Sequence, residues 1–174
     1  MHSLDKKVRG TNIIFKLDMM KAFDRVSWSF LSQLLHKFGF DTHFIGFIFN
    51  NLAASWSSLL INGKLCGFFQ ASRGLKQGDP LSPYLFILVS EALSRGLNQL
   101  TTTKVMMSYG LLRGCLQVSH LCFVDDIMIF TRADRKSLRG LLDFIELYER
   151  GSSQKVNKAK SFFVLSKKCP LARA

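Results

Sequence analysis

The sequence is poor in proline, in acidic residues and in long apolar runs. It has 3 Pro and 12 Gly among 174 residues, which argues against a disordered or low-complexity chain. The longest apolar runs, such as residues 85–89, are far too short to span a membrane. The first residues lead into a basic cluster without the apolar stretch of a secretory signal. We therefore expect no membrane partner and an intracellular protein, nuclear or cytoplasmic and not secreted.

Cysteine is also sparse and scattered. Cys66, Cys115, Cys122 and Cys169 form no C-x-x-C pair and have no histidine at metal-binding spacing. Neither a zinc site nor a disulfide framework is indicated, and a reducing compartment fits this pattern best.

The charge balance is strongly basic. Lys and Arg number 24 against 12 Asp and Glu, which gives a formal net charge of +12. Such an excess is typical of proteins that bind a polyanion, nucleic acid above all. The alternative is that the basic residues only solvate the surface, and net charge alone does not separate the two interpretations.

The apolar pattern predicts one α+β domain, because 48% of the residues are hydrophobic and the length suits one core. Ser27 and Asp41 are suited to cap two helices, and Asn62-Gly63 between apolar stretches indicates a hairpin. The predicted elements are a strand at 12–17, helices at 28–37 and after 41, hairpin strands at 57–61 and 64–70, a helix at about 81–100, a second hairpin within 116–131, a helix through 138–148 and an apolar run at 161–165.

Three aspartates stand out against this pattern. Asp125 and Asp126 join the two β-prone stretches of the second predicted hairpin, and Asp18 ends the first predicted strand. Adjacent like charges destabilise such a site unless a cation neutralises them, and carboxylates on strand ends are ligands that Mg²⁺ prefers. The alternative is a surface hairpin whose tip is Asp-Asp, which is acceptable turn chemistry.

Two further stretches carry functional groups. KLDMMKAFDRVSW, residues 16–28, contains Asp18 and Phe23, and an ordinary strand end followed by a polar turn is its alternative interpretation. RGLKQGDPLSP, residues 73–83, combines glycines that permit close approach with the donors of Arg73, Lys76 and Gln77, although a plain loop before a helix has the same composition.

Together with HLCFVDDIMIF at 120–130, these stretches resemble, in order, the A, B and C motifs of non-long-terminal-repeat (LINE-type) retrotransposon reverse transcriptases. The residues of these motifs are most similar to those of plant elements, and KVNKAKSFF from residue 155 is similar to the family's next motif. The resemblance implies a partial reverse transcriptase domain over residues 1–174. It would be a polymerase palm-like antiparallel sheet packed on helices, incomplete without full fingers and thumb.

The resemblance also implies an RNA-directed DNA polymerase site. Asp18, Asp125 and Asp126 would be catalytic and would bind two Mg²⁺ ions, with Mn²⁺ as a substitute. Phe23 matches the position where an aromatic ring selects the deoxyribose of the incoming dNTP, and a core aromatic is the alternative. The partners would be an RNA template, a DNA primer and dNTP.

Other positions match the family less directly. Arg73, Gln77, Gly78 and Lys160 correspond to residues that approach nucleotide, template or triphosphate, so they are candidate substrate-binding residues. Asp24 is expected to be structural and to pair with Arg25 or a neighbour. Val124 replaces the usual alanine, and the segment 151–161 lacks the glycine of the usual S-G-Q.

Only 17 residues precede Asp18, so fingers and thumb segments of a parent polyprotein are expected to be missing. We expect a truncated fragment with weak or no activity alone. The alternatives are a non-catalytic, maturase-like RNA-binding module and an inert retrotransposon remnant.

Overall fold

The computed structural model describes residues 11–54, 56–110 and 116–166. Four helices and six strands occur in these ranges. In chain order they are β1 (Asn12–Asp18), α1 (Trp28–Lys37), α2 (Thr42–Ala53), β2 (Trp56–Ile61), β3 (Lys64–Gln70), α3 (Ser82–Thr102), β4 (His120–Phe123), β5 (Asp126–Arg132), α4 (Arg135–Ser152) and β6 (Phe162–Leu165). The prediction of a mixed helix and strand fold is confirmed, and the bounds differ from it by a few residues.

The main sheet has four strands in the order β4-β5-β1-β6, and every neighbouring pair is antiparallel. The predicted second hairpin is confirmed as β4 and β5, joined by the two residues Val124 and Asp125. Asp126 therefore begins a strand, whereas Asp125 lies in the turn. The central strands β5 and β1 are distant in sequence but are direct neighbours in the sheet.

The two faces of this sheet differ in chemistry. Ile127 and Ile129 of β5 are buried and pack with Phe15 and Leu17 of β1 in the hydrophobic core, which defines the helix face. Because successive side chains of a strand alternate between faces, the intervening residues lie on the opposite side, here called the open face. The open face carries Lys16, Asp18, Leu121, Phe123, Asp126, Met128 and Phe162.

The helices cover the helix face with a close-packed core. Leu31 and Leu35 of α1 and Val89 and Leu97 of α3 are fully buried. Local sequence explains where the helices begin: the Ser27 hydroxyl accepts a hydrogen bond from the Phe30 N–H at the start of α1. The carboxylates of Asp41 and Asp134 cap α2 and α4 in the same way.

The β2–β3 hairpin, predicted from Asn62-Gly63, is confirmed as a two-stranded sheet separate from the main one. Every residue of β3 is exposed, and β2 is exposed at all but one position. Exposed apolar side chains of the hairpin and α2 form what we call the apolar hairpin surface: Phe44, Phe47, Trp56, Leu59, Leu60, Ile61, Leu65, Phe68 and Phe69.

No helix within the described ranges is long and apolar enough to cross a membrane. Cys66 and Cys122 are free thiols. The predictions for Cys115 and Cys169 concern residues outside the described ranges.

Candidate active site

The structure places two of the predicted catalytic aspartates, Asp18 and Asp126, at one end of the open face, with Asp125 in the adjoining turn. Asp18 on β1 lies directly opposite Asp126 on β5 in the antiparallel register. The carbonyl of Asp125 accepts a hydrogen bond of 2.8 Å from the Met19 N–H, which fixes the turn beside the end of β1. Two strands far apart in sequence therefore place Asp18 and Asp126 side by side in the sheet.

A fourth charged residue, Lys16, completes the group and was missed by the sequence analysis. Its Nζ lies 2.7 Å from Oδ1 of Asp126. The hydrogen bond to Asp126 raises the pKa of the Lys16 ammonium above its ordinary value, and the charges of all three aspartates act in the same direction, whereas desolvation opposes them. The available signal was the strand period, because a residue two positions before Asp18 lies on the same face.

The donor set suits a hard divalent cation. Carboxylate oxygens are the ligands that Mg²⁺ and Mn²⁺ prefer. The charges of all three aspartates act on the Lys16 ammonium, so the three carboxylates are near one another. Among the described residues, no three His, Cys, Asp or Glu side chains are arranged as a ready metal-binding group. The two-ion site therefore stays a prediction that the residue chemistry fits.

Phe23 lies between the core and two cavities. Its ring stacks on Phe86 of α3, with a centroid distance of 4.4 Å and an interplanar angle of 12°. The ring also lines a cavity of about 410 Å³ with Val124 and Cys122, and a second of about 530 Å³ that includes residues 76–80. Phe23 is thus held by the core and still borders open space beside the turn of the aspartates.

The loop at 73–78 is fastened to the segment that follows β1. The Gly74 N–H donates to the Val26 carbonyl at 2.8 Å, and the Trp28 indole N–H donates to the Gly74 carbonyl at 2.7 Å. Gly74 has φ +84, and a Cβ there would lie 2.6 Å from the Asp24 carbonyl oxygen. Close backbone approach at this glycine is confirmed. Gly78 has φ +88, but a Cβ there would meet nothing within 4 Å.

The partner of Asp24 is Gln77, which was itself predicted to bind substrate. The Gln77 amide Nε2 donates to Asp24 Oδ1 at 3.1 Å. Arg25 instead donates from Nε to the Ser153 carbonyl at 3.1 Å. The hydrogen-bond partner of Asp24 is therefore Gln77 and not Arg25, and its structural role stays a prediction. Arg73 is exposed in the same loop.

Hydrogen bonds attach the segment 152–161 to the first motif. The Asn157 N–H donates to the Asp18 carbonyl at 2.8 Å, and the Asp18 N–H donates to the Ser161 hydroxyl at 3.1 Å. Lys160 is exposed in this turn, and its own N–H donates to the Asn157 carbonyl. Ser153, at the position where the resemblance implies glycine, adopts φ +62.

Gln154 is a second residue that the sequence analysis missed. Only 3% of it is exposed, and its Nε2 donates to the Ala22 carbonyl at 3.0 Å. Its Oε1 accepts a hydrogen bond from the Tyr148 hydroxyl, whose pKa is raised by burial. Gln154 thus ties α4 to the turn that carries Phe23. Nothing in the local sequence indicates this contact, because Ala22 is 132 positions away.

Comparison with known proteins agrees with this arrangement. Residues 1–170 match the family model described as reverse transcriptase (RNA-dependent DNA polymerase). The chain is 35% identical over 130 residues to the Pol polyprotein of the type-2 retrotransposable element R2DM of Drosophila melanogaster, a match that covers 75% of this chain and 11% of the relative.

A second relative is the Pol polyprotein of the type-1 retrotransposable element R2 of Popillia japonica, 28% identical over 130 residues, or 74% of this chain and 20% of the relative. Among solved structures, an apo telomerase from Candida tropicalis truncated from its C-terminal domain superposes with a TM-score of 0.65 and 20% identity. That match covers 94% of this chain and 32% of the telomerase chain, so it supports the palm-like fold.

The chain thus spans less than a third of each of these proteins. The family match, the order of the three motifs and the register that sets Asp18 opposite Asp126 lead to the same conclusion. The chain belongs to the reverse transcriptase (RNA-dependent DNA polymerase) family, as a domain of the non-LTR retrotransposon kind.

Proposed function

We propose that this chain is the catalytic palm of an RNA-directed DNA polymerase that transfers a nucleotide from dNTP to a primer 3′-hydroxyl. The observation that supports this most strongly is the register that sets Asp18 opposite Asp126, with Asp125 in the adjoining turn. A surface hairpin with an accidental Asp-Asp tip would not need a third carboxylate on the neighbouring strand.

In this proposal Asp18 and Asp125 hold two Mg²⁺ ions, and Asp126 is the third carboxylate of the set. The ions supply Lewis-acid chemistry, since they stabilise charge on the entering and leaving oxygens of an in-line displacement. The chain fixes the backbone of these residues. The Asp18 N–H and carbonyl are both hydrogen bonded, and the Asp125 carbonyl accepts a hydrogen bond from the Met19 N–H. Rigid strand ends keep carboxylates in register for such work.

Selection of the deoxyribose is assigned to Phe23. Its ring stacks on Phe86 and lines the cavity next to Val124, so an added 2′-hydroxyl at that position would clash with the ring. Gln77 and Gly78 border the adjoining cavity and would approach nucleotide and template. Arg73 and Lys160 are exposed cations suited to phosphate, in a chain whose net charge is +12.

The partners are then an RNA template, a DNA primer and dNTP. Because the chain covers 11% to 20% of the two retrotransposon relatives, we propose that segments of a longer polyprotein complete the polymerase and that this chain alone is weakly active. An origin in a plant element belongs to the same proposal.

The test is single-nucleotide incorporation by the purified chain on an RNA template with a DNA primer and Mg²⁺ or Mn²⁺. We expect slow extension that Asp125→Asn abolishes, because removal of one charged ligand impairs metal binding. Asp143→Asn is the matched control: Asp143 is an exposed acid on α4, and its variant should extend primer at the wild-type rate.

Two outcomes would contradict the proposal. Extension that is unaffected by Asp125→Asn would place the chemistry elsewhere. No extension, together with RNA binding that stays level or rises in Asp125→Asn, would favour the RNA-binding module, because loss of a carboxylate reduces repulsion of a polyanion. Rapid extension by the chain alone would disprove only the weak activity.

A further inference from the structure

Lys16 holds a position that the proposed chemistry does not use. It lies on the open face two residues before Asp18, and its neighbours across β5 and β6 are Met128 and Phe162. Neither neighbour can form a salt bridge with an ammonium, but both can cover its aliphatic stem. The charged end is thereby directed along the sheet toward Asp126, where Nζ and Oδ1 are 2.7 Å apart.

Lys16 lies where its positive charge offsets repulsion between neighbouring carboxylates. Like charges directly opposite each other on antiparallel strands are destabilising, and Asp18 and Asp126 are such a pair. With Asp125 in the adjoining turn, the end of the sheet carries three carboxylates. The Lys16 ammonium, paired with Asp126 of β5, reduces this repulsion between carboxylates when no metal is bound.

The same contact opposes a divalent ion. The side chains of Lys16 and Asp126 are 30% and 42% exposed, so water and salt screen their attraction without removing it. A cation that is bound by Asp126 has to share a carboxylate with a positive charge, or the ammonium has to leave. Lys16 thus competes for the carboxylate that lies nearest to it, while Asp18 and Asp125 have no such direct ion pair among the described contacts.

We propose that Lys16 is an internal counter-ion of the acidic site. Its ammonium is paired with Asp126 in the metal-free chain, which weakens divalent cation binding and makes Asp126 the last of the three aspartates to bind a metal. Asp18 and Asp125 are then the primary ligands. Asp126 becomes available to a metal only when Lys16 releases it. This inference rests on the proposed metal site and adds a residue that controls its affinity.

The experiment measures Mn²⁺ binding to the purified full chain by calorimetry and by electron paramagnetic resonance, with no nucleotide or nucleic acid present. Lys16→Met keeps an unbranched stem and removes the charge. We expect it to bind Mn²⁺ about tenfold more tightly than the wild type, because a unit positive charge beside the ion is gone. Equal or weaker binding would overturn the inference.

A double-mutant cycle with Asp126→Asn gives the second measurement. In the wild type, Asp126 is already occupied, so Asp126→Asn should change Mn²⁺ affinity little. In the Lys16→Met background, the same change should weaken binding about fivefold more than it does in the wild type, which is the signature of direct coupling. Equal effects in the two backgrounds would mean that Lys16 and Asp126 act independently, against the inference.

The controls separate charge from packing. Lys64→Met removes the same charge from the separate β2–β3 sheet and should leave Mn²⁺ affinity unchanged. Lys16→Arg keeps the charge and should bind Mn²⁺ as the wild type does. If circular dichroism shows that Lys16→Met does not fold, Lys16→Gln takes its place with the same expected tightening.

Failure of the proposed function would look different. If Asp18→Asn and Asp125→Asn leave Mn²⁺ binding of the wild type unaltered, the metal site itself is wrong and the counter-ion role is wrong with it. If those variants weaken binding but neutral residues at position 16 do not tighten it, the metal site stands and only the role of Lys16 is refuted.

Discussion

Val124, in the turn beside the proposed site, has a strained backbone conformation. It has φ +53, in a backbone region that β-branched residues rarely adopt, and its side chain is largely exposed. Positive φ at the first of two hairpin residues is the geometry in which glycine is favoured. The side chain thus gains little from burial while the backbone is strained, and the residue stands at the turn that carries Asp125.

We therefore expect Val124→Gly to raise the free energy of unfolding by about 1 kcal/mol, because relief of the strain exceeds the added entropy of the unfolded glycine. Urea denaturation should show a higher midpoint with an unchanged slope. Val164→Gly on β6 is the control and should lower stability, since β6 is regular strand. A lower midpoint for Val124→Gly would show that the turn is not strained.

At the same scale, sequence identified some site residues and not others. Asp125 and Asp126 stood out because paired charges between β-prone stretches break local rules, and the resemblance of three ordered motifs assigned a role to them and to Asp18. The contacts of Lys16 with Asp126 and of Gln77 with Asp24 were not, because each joins side chains that only the folded chain brings together. A motif gives the identity of a residue, whereas its partner depends on strand register and on loop path.

Among the structural elements, the loop at 73–78 depends most on one glycine. Gly74 combines φ +84 with a backbone neighbour, Asp24, that leaves no room for a Cβ. Its amide and carbonyl are both hydrogen bonded, to Val26 and Trp28. The loop therefore cannot shift to accept a side chain without loss of these bonds.

Gly74→Ala should lower the free energy of unfolding by about 2 kcal/mol or more, from backbone strain, steric clash and lost hydrogen bonds. Gly46→Ala is a matched control within α2, where a Cβ would meet nothing within 4 Å. That change should instead stabilise by about 0.5–1 kcal/mol, because alanine favours helix. Similar midpoints for the two variants in thermal or urea denaturation would contradict the close approach.

Most elements could be predicted from sequence because their signals are local. Ser27 and Asp41 act as helix caps, and Asn62-Gly63 forms the turn of a hairpin, as expected. Sequence could not show that this hairpin stays apart from the main sheet, since both hairpins have the same apolar signature. The exposure of β3 follows from tertiary arrangement, which no pattern within the hairpin encodes.

For the molecule as a whole, the apolar hairpin surface dominates behaviour in solution. It places Phe47, Leu60, Leu65 and Phe68 in contact with water, with Phe47 72% exposed. Exposed apolar patches of this kind promote association, and a lone two-stranded sheet is only marginally stable. The purified chain is expected to aggregate at high concentration.

The triple variant Leu60→Thr, Leu65→Thr and Phe68→Thr should raise the soluble monomeric fraction on size-exclusion chromatography. Its thermal midpoint should be almost unchanged, because these side chains are exposed and threonine keeps strand propensity. By contrast, Leu31→Thr should cost roughly 2–4 kcal/mol, since Leu31 is fully buried. Unaltered aggregation of the triple variant would mean that another surface is responsible.

The strand order β4-β5-β1-β6 has a kinetic consequence. Both neighbours of β1 come from the far part of the chain, and its Asp18 N–H waits for a hydroxyl 143 positions later. At about 5–20 residues synthesised per second, a nascent β1 stays unpaired on the ribosome for about 5–20 s. Such non-local pairing folds slowly. Because the neighbours of β1 are β5 and β6, a chain that ends before β5 forms no main sheet and leaves the edges of β1 unpaired.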